Sequence, residues 1–103
     1  MEFGEIIDNK VFEFPSRELY ALSSQIRRAS DSIALNIAEG SIGQSNPEQK
    51  KFIAYAIRSL AEVVTCLYKA KYRKYISEKD FEILYSDSYN LMNMMIAFRK
   101  NIK

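Results

Sequence analysis

The side chains best suited to bind something are Tyr68, Lys69, Lys71, Tyr72, Arg73, Lys74 and Tyr75, which fall together in one short stretch of this 103-residue chain. Cations at this density neutralise phosphates and release counterions, and tyrosine rings stack on unpaired bases. The same composition has a second meaning. Lys and Arg in the last turns of a helix oppose its dipole, and Tyr68, Tyr72 and Tyr75 can flank a core with their hydroxyls outward. A second polar group is Gln25, Arg28, Ser32, Asn36 and Glu39, at three/four spacing. Amide, guanidinium, hydroxyl and carboxylate can satisfy one another at close quarters. Arg28 in this line suits a bridge between helices or subunits. Arg27 points off the apolar line, either as a solvated charge or as a phosphate contact.

Catalysis and metal binding find little support. There is no histidine, which removes the commonest general base and metal ligand. Glu39 and Glu62 are the best candidate carboxylate pair, but a di-metal site in a helical bundle wants Glu-x-x-His pairs, and the chain has none. Glu39 fits better as an arginine partner or a cap. The loop Gly40-Ser41-Ile42-Gly43-Gln44-Ser45 lacks the Gly-Lys-Ser/Thr of a phosphate-binding loop. The single cysteine, Cys66, has no histidine to activate it and reads as packing. No metal and no cofactor are expected, and the chain is read as not an enzyme.

The elements that position these groups are helices. Three Gly and two Pro imply few turns and long elements. Leu19, Leu22, Ile26, Ala29, Ile33 and Ile37 keep one helix face apolar, with the polar line about 90° away at about 100° per residue. Gly40 is expected to supply a left-handed stop. Ser16 is a good N-cap, and Pro15 must end an earlier helix carrying Phe3, Ile6, Ile7, Val11 and Phe14. Asn46-Pro47-Glu48-Gln49 reads as a cap, a first-turn proline and a capping box. The seam behind it is Ile53, Ile57, Leu60, Val64 and Leu67. Beside it lie Phe52, Ser59, Cys66 and Ala70, mostly small, where another helix can approach closely. The last helix follows Ser77 with the heptad-like seam Phe81, Leu84, Ser88, Leu91, Met95, Phe98 and Ile102. A second line, Tyr85, Tyr89, Met92 and Ile96, widens its apolar arc beyond one bundle seam and implies burial against another subunit.

The reading is therefore a single all-α domain over 1–103, an antiparallel up-down-up-down four-helix bundle with helices over 3–14, 16–39, 47–74 and 78–102. No signal peptide or apolar run of about 18 residues is present, so a soluble protein with no membrane partner is expected. The lone cysteine fits a reducing cytoplasm. Net charge is +2, with four Lys/Arg against seven Asp/Glu in residues 1–46 and eleven against six in residues 47–103. The basic second half permits an anionic partner.

Gln25-Ile26-Arg27-Arg28-Ala29, Ser32-Ile33 and Asn36-Ile37-Ala38-Glu39-Gly40 resemble the signature of a bacterial family of four-helix-bundle proteins encoded in intervening sequences of 23S ribosomal RNA genes, a ribosomal-protein-like family. Phe52-Ile53, Ser59-Leu60-Ala61-Glu62 and Ala70-Lys71 are similar to its third helix, and the accessory protein of diversity-generating retroelements is also similar. The resemblance covers roughly residue 14 to the C-terminus and implies a bundle assembled as a homopentamer. The family's first helix is longer than the one here. Together these readings give a non-enzymatic protein binding RNA or DNA through Lys69, Lys71, Tyr72, Arg73, Lys74 and Arg27. Its subunit interface is expected to use Gln25, Arg28, Asn36, Glu39, Tyr85, Tyr89, Met92 and Ile96. The alternative is a scaffold for a protein partner, such as a reverse transcriptase, with the basic face incidental.

Overall fold

A computed structural model describes residues 3, 4, 7, 20–42 and 45–102. Three long helices account for most of them: α1 (Tyr20–Gly40), α2 (Asn46–Tyr72) and α3 (Glu78–Asn101), with no strand among the described residues. Most of the expected first helix, 3–14, and its boundary at Pro15 and Ser16 lie outside the described residues. Phe3, Gly4 and Ile7 are helical, and Phe3 and Ile7 belong to the core. Gly4 lies against α1: a methyl built on it would sit 3.3 Å from Ser30 Oγ.

The caps follow from side-chain chemistry, with one shift of position. Ser77 Oγ accepts the Asp80 amide at 3.0 Å and starts α3 as its sequence suggests. The start of α2 is capped one residue earlier than Asn46. Ser45 takes the extended cap conformation, and its Oγ accepts from the Glu48 amide at 3.4 Å. Asn46 is then the first helical residue and Pro47 the second, still inside the turn whose N–H groups have no intrahelical acceptor. Gly40 departs from expectation too. It has no left-handed backbone and is the last, buried residue of α1. A methyl there would lie 3.4 Å from Phe52 Cβ, an ordinary contact, so α1 meets α2 here with room for a Cβ.

The middle helix, α2, packs against both α1 and α3. Ala56, Leu60, Val63, Cys66 and Ala70 are completely inaccessible. The buried arc is thus rotated from the expected seam towards the small residues. Val63 takes the central position, while Val64 and Ile57 are half-buried. The reason is that α1 seats on the small-residue flank, where Ser32 Oγ meets Ser59 Oγ at 2.8 Å, and α3 takes the other flank. Leu22, Ile26, Ile33, Leu67, Leu84 and Met95 are buried as expected. Ile37 and Leu91 pack against this core while remaining half-buried. The principal extents are 45 × 22 × 18 Å with a radius of gyration of 14.4 Å. A compact chain of this length would give about 13 Å, so the molecule is a rod. No described helix is long and apolar enough to cross a membrane.

Candidate nucleic-acid interface

The basic and aromatic stretch ends α2 and makes the turn into α3. Arg73 is the C-cap, and its amide reaches back to Lys69 O at 3.0 Å. Lys74 follows with φ 61°, donating its amide to Lys71 O at 3.0 Å, while the Tyr75 amide reaches Ala70 O at 2.9 Å. These paired bonds are the Schellman arrangement, in which the left-handed residue is ordinarily glycine. Here it is a lysine, the one positive-φ non-glycine among the described residues.

The side chains of this stretch divide into two sets. Lys69, Tyr72, Arg73 and Lys74 are exposed, and Tyr72 is 79 % accessible. Lys71 is half-buried, and its ammonium lies 4.5 Å from the centre of the Phe81 ring, a cation–π contact that holds it against α3. Tyr68 belongs with Phe81 and Tyr85, at ring separations of 5.0 and 5.9 Å, in an aromatic cluster between α2 and α3. Hydrogen bonding to Tyr85, then burial, raises the Tyr68 hydroxyl above its ordinary value. Tyr75 is half-buried against the core. Arg27 is also half-buried and has an interaction of its own, so it is not a freely available cation.

The polar line of α1 turns inward over part of its length. Gln25 donates to Glu62 Oε1 at 3.4 Å, Ser32 pairs with Ser59, and Asn36 Nδ2 donates to Ser32 O at 2.8 Å and to Ser32 Oγ at 3.1 Å. Three of the five groups therefore serve the contact between α1 and α2 within one chain, or support it. Arg28 and Glu39 are exposed. At about 100° per residue they lie some 40–60° further from the core than Gln25, Ser32 and Asn36, enough to carry them past α2. Glu62 sits opposite Gln25, so Glu39, fourteen residues along α1, is about 20 Å from it along the axis and the carboxylates do not pair. Among the described residues no three His, Cys, Asp or Glu side chains gather as a metal site.

Two apolar surfaces flank α3. Ala61, Val64, Tyr85, Ser88, Tyr89 and Met92 line a groove of about 230 Å³ between α2 and α3. Ser88 is completely buried at its floor, with its hydroxyl donated to Leu84 O at 2.7 Å. Tyr89 is 59 % exposed on its wall, and Ile96 continues the line. The second groove, about 250 Å³, is lined by Ile37, Ile53, Leu91, Met94, Met95 and Phe98. Phe98, placed in the seam by its spacing, is 51 % exposed at its edge. This second groove draws on all three helices, and nothing in the heptad spacing of α3 alone distinguishes its residues from core. Cys66 is buried in the α2 face as packing. Burial, opposed by Lys69 and reinforced by Glu62, pushes its thiol above the ordinary value.

Comparison with known proteins agrees with the motif in α1. The model of the family described as 23S rRNA-intervening sequence protein matches residues 1–97. No curated protein matches the chain.

Proposed function

The chain belongs to the 23S rRNA-intervening sequence protein family, and on that premise we propose that it is a non-enzymatic four-helix bundle that binds RNA or DNA through basic surfaces repeated in a homopentamer. The observation that carries this reading is the exposed set Lys69, Tyr72, Arg73 and Lys74 around the end of α2. The helical, buried Phe3 and Ile7 support a fourth helix. Assembly into a closed ring is supported by the two separate apolar grooves. A twofold dimer needs one self-complementary patch, whereas a head-to-tail ring needs two different ones. The number five rests on the family resemblance. We place the protein in the cytoplasm, where Cys66 stays a reduced buried thiol.

Binding of labelled RNA and DNA oligonucleotides at low salt tests the proposal. Affinity falls with rising salt through counterion release, and Lys69→Gln, Arg73→Gln and Lys74→Gln together remove most of it with helicity intact. Lys71→Gln, whose ammonium is engaged with Phe81, changes it less. A triple variant that binds like the parent excludes this surface.

The second reading is a scaffold for a protein partner such as a reverse transcriptase, as the likeness to the retroelement accessory protein suggests. The grooves beside α3 favour it, since apolar surfaces can seat a partner's helix. Absence of nucleic-acid binding at low salt, with a partner co-purifying that Met92→Glu displaces, would establish it.

A further inference from the structure

We propose that the pole at which α1 starts and α2 ends takes a single-stranded nucleic acid, its bases stacking on Tyr20 and Tyr72 and its phosphates meeting Lys69, Arg73 and Lys74. This rests on the nucleic-acid reading above and extends it by naming the strand form and adding Tyr20. Tyr72 at 79 % and Tyr20 at 72 % are the two most exposed large apolar side chains described. The antiparallel packing brings them to one end. Gln25 meets Glu62. From that level Tyr20 is five residues and Tyr72 ten residues towards the same pole, about 7 and 15 Å at 1.5 Å per residue. The axial offset is about 8 Å, and by helical phase Tyr20 stands about 140° from Gln25 and Tyr72 about 140° from Ser59, each turned from the other helix, so a bound strand crosses the α1–α2 pair between the two rings.

Within a duplex each base face is covered by its neighbour, so rings standing in solvent reach only its two ends. A single strand offers every base face, and each stack is sequence-tolerant. Lys74 adds an exposed cation at the turn itself, in the left-handed position with φ 61°. The exposed carboxylates Glu78 and Glu82, at the start of α3, stand at this pole as well and oppose phosphate. Charge does not distinguish the strand forms here, and stacking carries the difference between them. Three phosphate contacts give a slope of log K against log salt of about −2 for a single strand.

The test is fluorescence anisotropy of the full chain with a labelled twelve-nucleotide single strand, as DNA and as RNA, and with a blunt duplex of equal length. Expected are at least ten-fold tighter binding of single strand than of duplex, and a loss of about ten-fold or more in the Tyr20→Ala, Tyr72→Ala double variant. The double Phe variant retains affinity. Both tyrosines are exposed, so circular dichroism stays unchanged. Equal or tighter duplex binding, or a double Ala variant that binds like the parent, overturns the inference. If Lys69→Gln, Arg73→Gln and Lys74→Gln together still abolish binding in that case, the nucleic-acid reading survives. No binding of either strand form by the parent at low salt overturns both.

Discussion

Lys74 and Gly40 close their helices with opposite backbone geometry. Gly40 ends α1 without a left-handed backbone, and Lys74 takes one at the end of α2. Lys74→Gly removes the Cβ clash of that conformation and should raise stability by about 0.5–1 kcal/mol in denaturant titration, while weakening any binding at this pole. Gly40→Ala is expected to be tolerated or mildly stabilising, since its methyl would meet Phe52 Cβ at an ordinary 3.4 Å. A loss above about 1 kcal/mol there would contradict the helical backbone. Cys66 sets a pH dependence. Burial raises its thiol above the ordinary 9.0, so the folded state favours the protonated form. Its contribution is complete below pH 9 and is lost as pH rises through the raised value. Thermal scans should show an alkaline loss of stability that Cys66→Ala reduces, after allowing for the cavity.

At the scale of elements, the helical character of α1, α2 and α3 was legible because three/four spacing is a local property, and so was the Ser77 cap of α3, whereas the cap of α2 fell on Ser45 rather than Asn46. The phase of α2 was only half legible. Ile53, Leu60 and Leu67 sit where spacing places them, but the choice between Val63 and Val64 depends on two neighbours gripping opposite flanks, which a one-helix pattern does not contain. The small residues Ser59, Cys66 and Ala70 did mark the flank for α1. Val63→Ala should therefore cost more than Val64→Ala, and Leu60→Ala about 2–5 kcal/mol. Equal effects for the two valines would restore the original seam. The polar line on α1 was legible as an ordered set, yet Gln25, Ser32 and Asn36 serve the α1–α2 contact. Spacing cannot tell a neighbouring helix from a neighbouring subunit. The basic stretch was legible in composition. That Lys71 lies over Phe81 was not, because the partner comes from α3.

For the whole molecule, the two grooves beside α3 predict that Met92→Glu lowers the mass measured by light scattering towards 12.0 kDa. Arg27→Ala should leave it unchanged. Arg28→Ala lowers it only if that exposed guanidinium finds its partner on another copy. A parent that remains a monomer at every concentration would remove the ring. The position of α2 between its two sequence neighbours has a kinetic consequence. Contacts between adjacent hairpin partners have short loops to close, so contact order is low and refolding is fast, on the μs–ms scale of helical bundles. If the α1–α2 hairpin, joined through Ser32 and Ser59, forms the nucleus, Leu60→Ala slows refolding in stopped-flow, whereas Met95→Ala mainly accelerates unfolding. Docking of subunits would then follow as a separate, slower phase whose rate scales with protein concentration.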